Sequence, residues 1–153
     1  MYEFLEETVR HNMTSPARTV APELSIGDLL RLFTTDEVNT YPVERNGRLV
    51  GVVSKADALN AFAFRQDGIL PHYDDVMGTT VEEIMSPHVM TVDAETRLQR
   101  VLYLMGKYRF KSLPVVDADH RILGVIAREH VIRAPNRPPC RGSPRPLDAS
   151  RRA

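Results

Sequence analysis

A hydroxyl and a carboxylate stand three residues apart at Ser54 and Asp57, where a short apolar run gives way to a helical pattern. Ser54 is predicted to cap a helix that begins at Lys55, which places Asp57 in the first turn. The free N–H groups and partial positive charge of a helix N-terminus attract anions such as phosphate. A carboxylate at the same corner can accept two hydrogen bonds from a sugar diol, so the combination suits a nucleotide.

The same two residues also have a purely structural interpretation. In a capping box, a serine and an acidic residue three positions later satisfy backbone N–H groups at the start of the helix. Such a cap contributes about 1 kcal/mol and needs no ligand. Both interpretations fit the stretch by itself, because the motif is short and common.

Length and composition favour a small globular protein. The chain has 153 residues, 42% of them hydrophobic, enough for one compact domain or two small ones that share a core. No apolar run approaches the ~20 residues that span a bilayer, and the acidic N-terminus lacks the plan of a signal peptide. A single cysteine, Cys140, fits a reducing compartment. We therefore expect a cytoplasmic protein with no membrane partner.

The charges are unevenly distributed although the formal net charge is zero. Five arginines and one aspartate between Pro135 and Ala153 give this tail +4 and leave the preceding residues at −4. The tail is also rich in proline, so it is predicted to be a disordered basic segment. An acidic body, and a tail with no aromatic residue to stack on bases, argue against nucleic acid as a partner.

No dense arrangement of metal ligands appears in the sequence. The nearest candidates, His72, Asp74 and Asp75, lie in a predicted linker, where such side chains are typical of a solvated loop. Neither a His-Glu-x-x-His motif nor paired cysteines are present. We expect no metal, no required cofactor and no catalysis.

The chain repeats itself at an interval of about 72 residues. The helical stripe of Ile26, Leu29, Leu30 and Phe33 returns as Leu98, Val101, Leu102 and Met105. Two strands around an Asn46-Gly47 turn, at 41–44 and 49–53, return at 113–115 and 122–126. A repeat of this length predicts two β-α-β-β-α units in an α/β (α+β) fold.

Each unit offers one half-covered sheet, so the two should pack face to face through their sheets, with pseudo-two-fold symmetry and two related clefts. The predicted organisation is an N-terminal helix at 1–12, repeats at 13–64 and 81–134, a linker at 65–80 and the tail at 135–153.

The repeats resemble the CBS domain, the module named after cystathionine β-synthase, in a tandem pair over residues 13–62 and 85–134. Met-Ser/Thr-x-Pro-like starts, the Pro-Val strand and the stretch from Gly51 to Asp57 carry the resemblance. It implies a regulatory module that binds AMP, ADP, ATP or S-adenosylmethionine. The alternative is a ligand-free scaffold for dimerisation and interaction. The resemblance also implies a homodimer that packs through helical faces, with a regulated protein partner possible.

Carried over residue by residue, the resemblance makes Asp57 the ribose ligand and Ser54 a neighbour of the phosphate. Counter-charge is expected from Lys55 and from Arg109, although Arg109 could equally be an ordinary cation at a helix end. The base slot would be lined by Thr19, Val20, Thr40, Tyr41 and Pro42.

The second repeat departs from this pattern. Ala127 stands where the first repeat has Ser54, and His130 stands where it has Asp57. A neutral imidazole holds a diol less well than a carboxylate, which accepts at both oxygens. We therefore expect one competent site, built mainly by the first repeat, and a second that is weak or empty.

Overall fold

The computed structural model describes residues 2–63 and 71–136 of the chain. The strands are β1 (Thr40–Arg45), β2 (Arg48–Ser54), β3 (Ser112–Val116) and β4 (Ile122–Ala127). The helices are α1 (Ile26–Thr35), α2 (Lys55–Asn60), α3 (Tyr73–Gly78), α4 (Val81–Ile84), α5 (Leu98–Tyr108) and α6 (Arg128–Arg133). Short 3-10 turns lie at Glu3–Glu6, Val9–His11 and Ala134–Asn136.

Each repeat folds its central residues into a two-stranded antiparallel sheet, β1 with β2 and β3 with β4. Asn46 and Gly47 have φ of 55° and 80°, the left-handed pair that a two-residue hairpin turn requires, as the sequence predicted. The register places Thr40 opposite Ser54 in one sheet and Ser112 opposite Ala127 in the other. Polar residues of β1 therefore lie beside the start of α2.

The predicted first strand of each unit is reduced to a single parallel bridge, Val20 with Val43 and Val92 with Val115. Most residues of the apolar stripes of α1 and α5 are buried against the two sheets and form two separate cores, in agreement with the repeated pattern. Leu102 is the exception, since it is exposed and Leu104 is buried in α5 instead. The tips of the hairpins join, because the Leu49 N–H donates to the His120 carbonyl at 3.1 Å. The two sheets therefore face each other across the clefts between the repeats, as expected.

The segments that precede the two repeats are exchanged between them. Val9 is buried in the core of the second repeat, and Val81 is buried in the core of the first. Thr14 pairs with Val125 of β4. The equivalent residue Ser86 pairs with Val52 of β2. Residues 13–14, at the start of the first repeat, therefore pack on the second repeat. Residues 81–86, at the start of the second repeat, pack on the first.

Two glycines permit this close crossing of chains. A Cβ at Gly51 would lie 2.7 Å from Met85 Sδ and 2.9 Å from the carbonyl oxygen of Ser86. At Gly124 a Cβ would lie 2.4 Å from the carbonyl oxygen of Thr14. Each glycine therefore stands where an exchanged segment crosses the sheet, and a larger residue would push that segment away.

Three elements differ in detail from the sequence prediction. The N-terminal helix expected within 1–12 is instead two 3-10 turns, because Thr8 interrupts it with an extended bridge to Arg97. The helix predicted from Lys55 to about residue 64 ends at Asn60. The predicted linker contains α3, which contacts α1. Residues 64–70 of the linker region and 137–153 of the tail lie outside the described residues.

Candidate functional site

A cavity of about 430 Å³ lies between the two repeats, at the corner where β2 turns into α2. Its walls come from both halves of the chain. The first repeat contributes Asn39, Thr40, Pro42, Val52, Ser54, Lys55, Ala56 and Asp57, and the second contributes Ser86, His88, Val89, Met90, Arg109, Phe110, Lys111, Ser112, Leu113, Pro114 and Val125. The volume falls within the range of small-molecule sites.

Ser54 and Asp57 form a complete capping box at this corner. The backbone N–H and the hydroxyl of Ser54 both donate to Asp57 Oδ2, at 2.7 and 2.8 Å, and the Asp57 N–H donates to Ser54 Oγ at 3.1 Å. Asp57 Oδ1 has no hydrogen-bond partner among residues 2–63 and 71–136, and the side chain is only partly buried. One carboxylate oxygen of Asp57 therefore caps α2, and the other is available to a ligand in the cavity.

The cations on the wall come chiefly from the second repeat. Arg109 follows α5 with a left-handed backbone, φ 58°, and Lys111 follows two residues later. Both side chains are exposed and form no ion pair with any residue that the structure describes. Lys55 instead lies with its ammonium 5.8 Å from the ring centre of Phe33, towards the helical side. The positive charge on the wall is therefore carried mainly by Arg109 and Lys111.

Six of the nine residues expected at the site line this cavity, namely Thr40, Pro42, Ser54, Lys55, Asp57 and Arg109. The remaining three do not. Thr19 donates from Oγ1 to Glu44 Oε2 at 3.0 Å, and Val20 is buried in the first core. Tyr41 does not line this cavity, although it lines the second cleft described below together with Thr40 and Pro42.

Tyr41 belongs to a partly buried polar cluster behind the sheet. Its hydroxyl donates to Asp36 Oδ2 at 2.6 Å and also lies 3.3 Å from the Leu32 carbonyl oxygen. Burial, and then the bond to Asp36, raise the pKa of Tyr41. The hydrogen bond from Arg18, and then that from Tyr41, hold the pKa of Asp36 below its ordinary value. These hydrogen bonds fix the end of α1 against β1 and use the tyrosine hydroxyl.

Sequence reasoning missed the contribution of the exchanged segment. Ser86, His88, Val89 and Met90 line the cavity because the chain entering the second repeat crosses the sheet of the first. Two glycines at the same place in both repeats, Gly51 and Gly124, were the available signal. A glycine inside a strand indicates a close approach of another backbone, but it does not identify the segment that packs there.

A second cleft of about 330 Å³ mirrors the first. It is lined by Thr14, Pro16, Ala17, Arg18, Glu37, Val38, Asn39, Thr40, Tyr41, Pro42, Lys111, Ser112, Val125, Ala127 and His130. Glu37 and Asn39 occupy the places that Arg109 and Lys111 hold in the first cleft, which makes the second wall less positive. The charge of Arg18 is paired with Asp36.

In the second cleft, His130 helps to cap α6 as Asp57 helps to cap α2. Its Nδ1 accepts from the Ala127 N–H at 3.0 Å, and its Nε2 lies 3.0 Å from Thr14 Oγ1. Because Nδ1 accepts, Nε2 carries the proton of the neutral ring and donates to Thr14. Both nitrogens are thus engaged with the protein. Ala127 supplies no hydroxyl, so only half of a capping box forms here.

Comparison with known proteins identifies the fold. The CBS domain family matches residues 7–63 and 81–137, so this chain belongs to that family and carries the domain twice. The chain is 31% identical over 147 residues to the chloroplastic CBS domain-containing protein CBSX2 of Arabidopsis thaliana, covering 83% of this chain and 60% of that protein. It is 28% identical over 121 residues to the CBS domain-containing protein YhcV of Bacillus subtilis, covering 78% and 79%.

Solved structures of similar chains hold adenosine compounds. CBSX2 in complex with AMP matches with a TM-score of 0.69 at 32% identity, covering 83% of this chain and 94% of that one. The CBS pair of protein MJ0100, in complex with 5-methylthioadenosine and S-adenosyl-L-methionine, matches with 0.69 at 26% identity and the same coverage. The chain spans only 60% of CBSX2 and 22% of the L-aspartate semialdehyde sulfurtransferase of Methanocaldococcus jannaschii.

Within residues 2–63 and 71–136, the helices are all too short or too polar to cross a bilayer. No group of three or more His, Cys, Asp or Glu side chains is placed there to hold a metal ion.

Proposed function

We propose that this protein is a regulatory module that binds an adenine nucleotide in the cavity beside Ser54 and Asp57. One observation carries the proposal: the cavity joins Asp57, which has one carboxylate oxygen without a partner within residues 2–63 and 71–136, to Arg109 and Lys111, which form no ion pair within the same residues. Carboxylate and cations are the groups that a ribose diol and a phosphate need. Complexes of similar chains with AMP and with S-adenosyl-L-methionine support the same class of ligand.

Each wall of the cavity has a role in this proposal. Asp57 Oδ1 accepts from the ribose hydroxyls while Oδ2 continues to cap α2. The phosphate lies near Ser54 and is neutralised by Arg109 and Lys111 of the other repeat. The base occupies the apolar part of the wall, which is formed by Pro42, Val52, Val89, Pro114 and Val125.

The charge of the wall favours a phosphorylated ligand. Arg109 and Lys111 oppose a sulfonium cation and attract a phosphate, so AMP, ADP or ATP should bind more tightly than S-adenosylmethionine. The second cleft lacks the ribose carboxylate and presents Glu37 where the first presents Arg109. We therefore assign the nucleotide to the first cleft.

We also propose that the protein acts as a homodimer through its helices. The first helical face consists of α1, α2 and α3, on which Leu59 and Tyr73 are 65% and 64% exposed. The second helical face consists of α5 and α6, on which Leu102, Tyr103 and Ile132 are 49%, 53% and 70% exposed. Leu59 and Ile132 stand at equivalent places of the two repeats, and exposed apolar side chains of this kind are typical of an association surface. Nucleotide binding would regulate by favouring one packing of repeats or subunits.

Thermal unfolding with AMP, ADP, ATP, NAD and S-adenosylmethionine tests the ligand proposal. A ligand at ~100 times its dissociation constant stabilises the native state by roughly 2.7 kcal/mol. For a chain of this size, that raises the melting temperature by several degrees. We expect a rise with the adenine nucleotides and a smaller one with S-adenosylmethionine. No rise with any of the five would favour the ligand-free scaffold, in which Asp57 serves α2 alone.

A further inference from the structure

The cations of the candidate site stand on a short connection between α5 and β3. This connection, the cation loop, consists of Arg109, Phe110 and Lys111, and all three residues line the cavity. It follows the end of α5 at Tyr108 and begins with the left-handed backbone of Arg109. Because the loop is so short, any contact that fixes its backbone also fixes the positions from which both cations reach the cavity.

Arg128, the first residue of α6, holds the cation loop at two successive carbonyls. Its backbone N–H donates to the Lys111 carbonyl at 3.0 Å. Its side chain donates from Nε to the Phe110 carbonyl at 2.8 Å. Arg128 forms no ion pair within residues 2–63 and 71–136, so no carboxylate there draws the guanidinium away from Phe110.

The first repeat has only half of this arrangement. Lys55 stands where the second repeat has Arg128, and its backbone N–H donates to the Asn39 carbonyl at 3.0 Å. Its ammonium lies instead 5.8 Å from the ring centre of Phe33. The corresponding loop, at 37–39, carries no cation. The backbone bond is thus common to both repeats, whereas the side-chain bond is present only where the loop carries cations.

We propose that Arg128 is a positioning residue for the phosphate site. Arg128 does not line the cavity, so it acts through the cation loop rather than on a ligand. By holding the Phe110 carbonyl, it keeps Arg109 and Lys111 in place before a ligand arrives, and less conformational freedom is then lost on binding. The inference rests on the nucleotide site proposed above and names a residue outside the cavity that sets its affinity for phosphate.

Two substitutions separate the hydrogen bond of Arg128 from its charge. Arg128→Met removes both and keeps a side chain of similar length. Arg128→Gln removes the charge alone, because the glutamine amide nitrogen stands as many bonds from Cα as the arginine Nε and can donate to the same carbonyl. Arg133→Met, at the exposed end of α6, is the control for the loss of one charge from this helix.

Calorimetric titration with ATP and with adenosine gives the first measurement. We expect Arg128→Met to raise the ATP dissociation constant about threefold to tenfold, the scale of one hydrogen bond, and to leave adenosine binding unchanged. Arg128→Gln and Arg133→Met should bind both ligands much as the wild type does.

Three outcomes of these titrations would overturn the inference. Unchanged ATP binding in Arg128→Met would show that the hydrogen bond has no role. An equal loss of ATP affinity in Arg128→Gln and Arg128→Met would assign the effect to charge. An equal loss for ATP and adenosine in Arg128→Met would show a general structural defect.

A double-mutant cycle tests whether Arg128 acts through the cation loop. In a background of Arg109→Ala with Lys111→Ala, Arg128→Met should change the ATP dissociation constant by less than about twofold. A loss as large as that in the wild-type background would mean that Arg128 acts on the phosphate independently of the two cations, and the positioning role would be wrong.

Hydrogen exchange in the ligand-free protein supplies a measurement that needs no nucleotide. The peptide that spans residues 109–111 should exchange several times faster in Arg128→Met than in the wild type, and at the wild-type rate in Arg128→Gln and Arg133→Met. If the wild type binds ATP and this peptide exchanges equally in all variants, the inference fails and the proposed function stands. If the wild type binds no ATP, the proposed function fails, and the phosphate role of Arg128 fails with it.

Discussion

Asp57 of the first repeat and Arg109 of the second border the same cavity, although helices α3, α4 and α5 lie between them in the sequence. Arg109 reaches it because the backbone turns into the left-handed region immediately after α5, with φ 58° and ψ 27°. An arginine in this conformation is strained by roughly 1 kcal/mol relative to glycine. Strain of this kind is retained where a side chain has another role.

Replacing Arg109 by glycine should therefore change stability and binding in opposite directions. We expect Arg109→Gly to raise the free energy of unfolding by up to about 1 kcal/mol and to weaken ATP binding. Adenosine, which carries no phosphate, should bind as before. Urea unfolding and calorimetric titration measure the two effects. His120→Gly, at φ 64° in the second hairpin, is the matched control and should stabilise without loss of ATP affinity.

Asp57 has two tasks that separate substitutions can distinguish. Asp57→Ala removes the carboxylate half of the capping box, the acceptor of the Ser54 N–H, and should cost about 1 kcal/mol of stability, together with the nucleotide-induced rise in melting temperature. Asp57→Asn keeps an oxygen for the Ser54 N–H, so it should retain most of the stability and still bind nucleotide poorly. Melting curves with and without AMP show both. A full AMP-induced rise in Asp57→Ala would remove the carboxylate from the binding role.

The close contact of the exchanged segment with Gly51 can be tested by comparison with Gly106, a glycine that has open space around it. Gly51→Ala places a methyl group 2.7 Å from Met85 Sδ and 2.9 Å from a carbonyl oxygen, so we expect a loss of about 1–3 kcal/mol. Gly106 lies in α5 with nothing within 4 Å of an added Cβ. Gly106→Ala should therefore stabilise the protein by up to about 1 kcal/mol. Urea titrations of the two variants should give changes of opposite sign.

The ion pair behind β1 predicts a specific loss of stability in acid. The hydrogen bonds from Arg18 and Tyr41 hold the pKa of Asp36 below its ordinary value of 3.8. A carboxyl whose pKa is lower in the folded state stabilises above its unfolded pKa, and this stability is lost as pH falls through the folded pKa. Asp36→Asn should thus be less stable near neutrality and lose less stability below about pH 4.

Denaturant unfolding at several pH values measures this acid limb. Asp119→Asn is the control, because the carboxylate of Asp119 is exposed and forms no ion pair within residues 2–63 and 71–136. Parallel acid limbs for the wild type and Asp36→Asn would contradict the assignment of this loss to Asp36.

Local patterns in the sequence were sufficient to predict the elements near Ser54. The stripe from Ile26 to Phe33 forms α1, the turn at Asn46 and Gly47 forms as expected, and the cap at Ser54 starts α2. These features depend on neighbours along the chain, which periodicity and turn chemistry report directly.

What could not be predicted depends on contacts between distant segments. The family resemblance implied Tyr41 in the base slot, and its hydroxyl in fact donates to Asp36 while the residue lines the second cleft. No local pattern places His88 and Val89 at the cavity, because their approach follows from the crossing at Gly51. Chain exchange between repeats leaves no periodic signal, so it is visible only once the two sheets are assembled.

The exchange of segments between the two repeats also limits where the chain can be truncated. A polypeptide that stops after residue 63 would lack Val81, which fills its core, and would leave Val9 with no core to enter. We therefore expect neither half to fold stably alone, so the two repeats should be expressed and purified as one chain.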